Sequence, residues 1–350
     1  MSSGRLRVAF VSGVRHAAPY IERLRQDPRV DIVGLAEEPE ASEWMRKDSE
    51  RTAARSEIPL FDDPGSILDP ERVDLAVICS EPTRHARLAI QALASGVHVL
   101  VDKPVATTLQ DADAVADAVT SAAGSCSVIN RTHAPALRRT RSWVDAGYLG
   151  LPRHIDVEFL ANGTHFATSV ERPELVIDPT LSGGGELLNF LGYCTDAIRY
   201  LTGLEIRSVY AMSGSLFEAG HARYGVEDTA IVSLGLDHGV TSTVTVGRIP
   251  YAPGLGSAST SLRLIGSHGH AVADDGKPAV LRYGGGSTVS ALPLAGGRPN
   301  ETLGFFLRHV VDSLLSGEAP DYGIAEARAS MAAIDAAYRS IETGTVAVPL

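Results

Sequence analysis

The chain has 350 residues, 44% hydrophobic and 21% charged, with no internal repeat and no low-complexity tract, a length sufficient for two domains with full cores. Its 31 Lys and Arg against 42 Asp and Glu leave a formal charge of −11 and no basic block, so neither nucleic acid nor an anionic membrane is an expected partner. Three widely spaced cysteines (Cys79, Cys126, Cys194) exclude a zinc knuckle or disulfide framework, and the first apolar run is too short for a signal segment or a span, so a reduced cytoplasmic protein is expected.

The first 130 residues alternate short apolar strands with amphipathic stretches. Strands are predicted at 6–11, 31–36, 74–79, 98–101 and 127–129, and helices at 18–26, 42–55, 84–94 and 109–122. The last helix carries Leu109, Ala112, Val115, Ala116 and Val119 on one stripe, and Thr108 with Asp111 makes a capping-box-like start. This alternation predicts a doubly wound parallel sheet, a Rossmann-type α/β domain over residues 1–125. After Arg153 the strands lengthen and take a period of two, at 154–160, 208–212, 230–236, 240–246, 262–265, 271–273 and 280–283. A hairpin is predicted at Leu236-Asp237-His238-Gly239. With helices at 186–201, 302–315 and 324–342, residues 126–350 read as an α+β domain with a large open, mainly antiparallel sheet.

Strand one runs into Ser12-Gly13-Val14-Arg15-His16-Ala17-Ala18, where a nucleotide fold places G-x-G-x-x-G. Only Gly13 stands in place, with Arg15 at the second glycine position and Ala18 at the third. Glu37 and Glu38 end strand two. An acid there accepts hydrogen bonds from the adenosine ribose and repels a 2′-phosphate, which favours NAD over NADP. Strand five ends in Asp102-Lys103-Pro104, a lysine at the carboxyl end of a parallel strand on a backbone stiffened by proline.

The glycine turn, the acidic strand end, Ser80-Glu81-Pro82 with His85, and Asp102-Lys103-Pro104 in this order resemble the Gfo/Idh/MocA family, the glucose–fructose oxidoreductase and inositol dehydrogenase relatives. The likeness continues through Asn130-Arg131, Gly147-Tyr148-Leu149-Gly150, Gly183-Gly184-Gly185, Glu227-Asp228-Thr229-Ala230 and Gly266-Ser267-His268-Gly269, and so covers nearly the whole chain. The resemblance implies an NAD-dependent oxidoreductase acting on a hydroxylated small molecule, a sugar, cyclitol or related polyol. The histidines show no H-x-x-x-H or H-E-x-x-H spacing, so no metal is expected. The resemblance assigns Gly13, Arg15, His16, Glu37, Ser80, Glu81, His85, Asp102, Lys103 and Arg131 to the cofactor, Arg131 meeting either its carboxamide or an anionic substrate. It also implies a homodimer or homotetramer formed through the second domain's sheet.

The family's second signature, G-G-G-x-L-x-D-x-G-x-H-x-x-D, is present in spacing but not in chemistry. Here Asn189 replaces the aspartate and Tyr193 the histidine, four residues apart on one helix face. Oxidising an alcohol requires removal of the hydroxyl proton, and tyrosine, with a reference pKa of about 10, needs a neighbouring cation to act as the base near neutrality. Lys103 is the expected cation and Asn189 an orienting donor and acceptor. Two alternatives stay open: an NAD-assisted lyase or hydrolase working through transient oxidation, and a non-catalytic ligand-sensing relative. Cys194 and Asp196 read as structural. His133, His165 and Arg248 read as solvated or satisfied polar groups, and His221 and Arg223 fall in a loop. The substrate pocket is expected from the loops at 164–172 and 251–259.

Overall fold

The computed structural model describes residues 4–163, 172–250, 258–274, 277–284, 288–294 and 302–350. His165, most of both expected pocket loops and the glycine-rich stretch at 285–287 lie outside the described residues. The chain divides into two compact units, Met1–Ile129 with Phe306–Arg328, and Asn130–Phe305 with Ala329–Leu350. Among the described residues no helix is long and apolar enough to cross a membrane.

The first unit runs β1 (Leu6–Val11), α1 (Ala17–Arg25), β2 (Val30–Ala36), α2 (Glu43–Arg55), β3 (Leu60–Phe61), β4 (Leu75–Ile78), α3 (His85–Ala94), β5 (His98–Val101), α4 (Leu109–Ser121) and β6 (Cys126–Val128). Its six strands pair in parallel in the order β3-β2-β1-β4-β5-β6. Helices on both faces bury the sheet, which is why β4 and β5 are almost continuous apolar runs. The order reverses between β1 and β4, and in such sheets the crevice outside the strands' carboxyl ends at that reversal binds ligands. Thr108 caps α4 as expected: its Oγ1 accepts from the Asp111 N–H at 3.1 Å, and it donates to the Asp111 carboxylate at 2.7 Å, hydroxyl to carboxylate where a full capping box uses the Thr108 N–H. The two-residue strand β3 was not expected, since two residues carry no period. It lies close enough to β2 that a side chain on Gly34 would strike the Phe61 ring and the Pro59 carbonyl.

The second unit contains α5 (Pro135–Asp145), β7 (Pro152–Asn162), α6 (Glu174–Ile177), α7 (Pro179–Ser182), α8 (Glu186–Thr202), β8 (Ile206–Gly214), α9 (Ala219–Tyr224), β9 (Thr229–Leu236), β10 (Thr241–Ile249), β11 (Ala258–Gly266), β12 (Gly269–Asp274), β13 (Ala279–Gly284) and β14 (Val289–Pro293). The chain ends with α10 (Thr302–Ser316) and α11 (Ile324–Thr343). The eight strands take the order β14-β13-β12-β11-β7-β10-β9-β8, antiparallel except for the central β7–β10 pair, which is parallel. The predicted hairpin joins β9 to β10, with His238 and Gly239 in the left-handed region that a tight reversal requires. Register sorts the residues by face. Ala211, Val232, Val244, Val157 and Leu262 line up across the sheet on its buried face, and α8 lies against β7, β9 and β10. Tyr210, Ser233, Thr243, Asp156 and Arg263 line up on the open face. Helix α5 was missed because three arginines obscure a stripe of Ala136, Leu137, Thr140 and Trp143, all of which are buried. Strand β14 was missed as well.

Candidate cofactor and substrate sites

The turn after β1 is held from three sides. Ser12 has φ +66° and sits fully buried, and a Cβ on Gly13 would stand 2.9 Å from the Ser49 backbone of α2. Glycine is thus required here by the packing of α2 against the turn. The Gly13 N–H donates to Ser49 Oγ at 2.8 Å, and the Arg15 N–H donates to the Cys79 carbonyl just past β4 at 2.8 Å. Asp102, at the end of β5, accepts from His16 Nδ1 at 2.8 Å and from the Tyr20 hydroxyl at 2.7 Å, with Arg15 Nε 3.7 Å away. Burial alone would raise the Asp102 pKa, but the charge and hydrogen bond of His16, with Arg15 and His85 nearby, hold it far below the usual carboxylate range. Lys103 follows, half-buried, on a cis bond to Pro104.

His85 is fully enclosed, its Nδ1 2.6 Å from the Pro104 carbonyl and its Nε2 3.0 Å from that of Ser80. It pins the strand-five corner to the strand-four corner. Burial lowers its pKa, while two facing carbonyls pull the other way, since both accept only from a protonated ring. Glu81 is a partner of Arg84, and Glu37 is enclosed by Ser12, Ser49 and Arg84. Of the residues expected at the cofactor, those from Gly13 to Lys103 therefore gather at the carboxyl ends of β1, β2, β4 and β5.

Arg131 belongs to the second unit, where its guanidinium lies 5.2 Å from the Phe159 ring centre and 5.6 Å from that of Tyr193. Tyr193 packs on Phe159 at 5.1 Å, and Phe159 on Phe190 at 4.6 Å. Asn189 lies one turn before Tyr193 on α8, and its amide donates to Glu186 Oε2 at 2.7 Å. The other Glu186 oxygen accepts from Arg248 Nε at 2.6 Å and His221 Nε2 at 3.2 Å, which fixes the proton of that histidine on Nε2. Glu186, His221 and Arg248 are all shut off from solvent. Burial pushes the Glu186 carboxyl up, but the Arg248 charge and the three hydrogen bonds outweigh it and bring the pKa to about 2.

This cluster was not expected as a unit. Arg248 is the satisfied polar residue expected from the sequence, and its partner Glu186 is a finding of the structure. The available signal was an acid three residues before Asn189 on the buried face of one helix.

The three glycines before α8 permit a close approach. A side chain on Gly185 would strike the Glu227 carbonyl, and one on Gly184 the Tyr338 hydroxyl. Glu227 Oε1 accepts from the Leu187 N–H and the Tyr338 hydroxyl, both at 2.9 Å, so it caps α8 from forty positions away. Burial pushes its carboxyl above the usual range despite those donors. Next to it Asp228 takes the backbone N–H groups of Leu216, Phe217 and Glu218, which outweigh burial and lower its pKa. Cys194 and Asp196 are structural, as expected: Cys194 is buried, and Asp196 accepts from Ser330.

Residues 6–130 match the oxidoreductase family with an NAD-binding Rossmann fold, and residues 137–272 match the GFO/IDH/MocA C-terminal domain. The chain is 24% identical over 298 residues to myo-inositol 2-dehydrogenase of Thermotoga maritima, covering 81% of each. It is 25% identical over 214 residues to the oxidoreductase YrbE of Bacillus subtilis, a match that spans 61% of this chain and 58% of that protein. A solved levoglucosan dehydrogenase, in complex with NADH and levoglucosan, superposes with a TM-score of 0.84 over 99% of both chains at 17% identity, a likeness of fold.

The residues around the turn after β1 fit a dinucleotide. The first turn of α1 carries no acidic residue, and its N-cap His16 makes no side-chain capping bond, which leaves the helix N-terminus suited to a pyrophosphate. The first unit is an NAD-binding Rossmann domain, and the chain belongs to the Gfo/Idh/MocA oxidoreductase family.

Proposed function

We propose that this protein transfers a hydride between NAD and a hydroxyl-bearing carbon of a sugar, cyclitol or related polyol, with Lys103 and Tyr193 acting at the reacting oxygen. NAD, when bound, supplies the hydride acceptor. The observation that carries the reading is the strand-five corner, where Lys103 stands beside an Asp102 that grips the turn after β1. The names of myo-inositol 2-dehydrogenase and levoglucosan dehydrogenase support the substrate class.

In this reading the Lys103 ammonium orients the substrate oxygen and offsets the negative charge that grows on it as its proton leaves. Tyr193, as its phenolate, takes that proton and becomes the neutral phenol, and the guanidinium of Arg131 against its ring favours the phenolate form that must be present beforehand. Asn189, fixed through its amide by Glu186, presents its carbonyl oxygen to a substrate hydroxyl. Lys103→Ala is expected to abolish turnover and leave the NAD dissociation constant, measured by calorimetry, nearly unchanged. Tyr193→Phe is expected to lower kcat far more than it changes KM. Loss of NAD affinity in Lys103→Ala ends this division of roles. Failure of the wild-type protein to bind NAD, NADH, NADP or NADPH ends the whole reading.

The same reading extends to assembly as a homodimer or homotetramer. The open face of the second sheet leaves Tyr210, Met212 and Ile231 exposed beside threonine-rich rows, a surface suited to a second copy of this chain. Ile231→Lys is expected to yield a smaller species by light scattering, and an unchanged mass in that variant removes the sheet face from the interface.

A further inference from the structure

Sequence points to Glu37 as the carboxylate for the adenosine ribose, yet its acceptor positions are filled. Glu37 Oε2 accepts from Ser12 Oγ at 2.6 Å and Ser49 Oγ at 2.7 Å. Glu37 Oε1 accepts from Arg84 Nη1 at 2.9 Å and from the Glu38 N–H at 3.1 Å. A carboxylate offers about four lone-pair positions, and four donors from the turn after β1, from α2, from the start of α3 and from the backbone occupy them. The side chain is only 5% exposed. To take two ribose hydroxyls, Glu37 must first give up hydrogen bonds that hold the turn to α2.

Glu38 is the next residue and is arranged differently. Arg87 meets it with both terminal nitrogens, Nη1 to Oε1 and Nη2 to Oε2, each at 2.7 Å, and Arg84 Nη1 adds a bond to Oε2 at 2.8 Å. The plane of the carboxylate is thereby fixed, while Oε1 has a single donor among the described residues. Its side chain is 13% exposed, more than that of Glu37. Glu37, Glu38 and Glu81 surround Arg84 and Arg87, three acids to two bases, so the corner keeps a negative balance. Burial pulls the Glu38 pKa up, but the two arginines outweigh it and keep the group ionised.

We propose that Glu38, clamped by Arg84 and Arg87, is the carboxylate that accepts the adenosine ribose hydroxyls and turns away a 2′-phosphate. Glu37 is then a positioning residue that ties the turn after β1 to α2. The assignment rests on the NAD reading above, and calorimetry with NAD and NADP separates the two. Wild type that binds neither dinucleotide ends both. With wild type binding NAD, Glu38→Ala is expected to raise the NAD dissociation constant about tenfold or more, the loss of one to two charge-assisted hydrogen bonds. The preference for NAD over NADP falls with it, since Arg84 and Arg87 are released toward a phosphate, and the melting temperature stays close to that of wild type. Glu37→Ala is expected to lower the melting temperature, or to fail to fold, as loss of a strut should. A Glu38→Ala protein that binds NAD within about twofold of wild type and discriminates as well against NADP overturns the proposal. So does a Glu37→Ala protein that melts like wild type and no longer binds NAD.

Discussion

Each unit holds a buried carboxylate between an arginine and a histidine, and the two clusters differ in what else reaches them. Asp102 in the first unit meets Arg15, His16 and Tyr20, and the His16 side chain stays 29% exposed at the start of α1. Glu186 in the second meets Arg248, His221 and Asn189, and neither the Arg248 nor the His221 side chain is more than 2% exposed. The first cluster is a clamp with one face open to solvent, joining the turn after β1 to the strand-five corner. The second is a sealed strut that sets the first turn of α8 and holds the amide of Asn189. A clamp is expected to reveal itself in affinity and a strut in stability.

The strut gives the largest effect. Arg248→Met leaves the Glu186 charge buried beside only His221 and Asn189, and removal of one partner of a buried ion pair costs about 3–5 kcal/mol. Urea unfolding should show that loss, and adding Glu186→Gln should recover a good part of it, because the stranded charge is gone. An Arg248→Met protein that unfolds at the wild-type midpoint would mean that the cluster is not a strut.

The same contrast explains how much was legible in the sequence. The clamp draws on two short segments, Ser12 to Tyr20 and Asp102 to Pro104, each next to a strand with a clear apolar run, so its members stand together in the text. The strut joins residues 35 and 62 positions apart, from α8, α9 and the end of β10. No local pattern links Glu186 to His221 or Arg248, since their meeting depends on how three elements pack. The fold shows the same division. The strand–helix alternation of the first unit was readable to within a residue or two because each element has its own period. Strand β3 has only two residues, and β7 pairs in parallel with β10, a register that no single strand encodes.

Acid titration tests the strut from the other side. Glu186 is held at about 2 against an ordinary 4.5, so it contributes roughly 3 kcal/mol at neutral pH. A folded-state pKa below the unfolded one means this stability is present above the unfolded value and is lost as pH falls through the folded one. Wild type should therefore weaken between about pH 5 and pH 2. Glu186→Gln should flatten that slope, and an unchanged slope in the variant would place the acid sensitivity elsewhere, with Asp102 the next candidate.

Asp102→Asn probes the clamp, with a smaller cost in stability and a larger one in binding. The variant loses the charge facing Arg15 and the acceptor for His16, at about 1–3 kcal/mol, because water reaches the His16 side. Its turn after β1 is no longer fixed against β5, and NAD should bind about tenfold more weakly. Stability loss with intact NAD affinity would make Asp102 a strut like Glu186 and erase the distinction between the two clusters.

The smallest effect separates local from distant support. Helix α4 in the first unit is capped by its own Thr108, whereas α8 in the second is capped by Glu227, itself held by Tyr338 of α11. Thr108→Ala removes one exposed capping bond that water partly replaces, so about 1 kcal/mol is expected in urea unfolding, with NAD affinity unchanged. Tyr338→Phe leaves the half-buried Glu227 carboxyl with the N–H groups of Leu187 and of its own backbone and should cost more, because burial has already made that carboxyl costly to charge and water replaces the lost donor less fully than at the exposed cap. Equal costs for the two variants would show that the distant cap is no more sealed than the local one. A greater cost for Tyr338→Phe ties the first turn of α8, and with it Asn189 and Tyr193, to the closing helix of the chain.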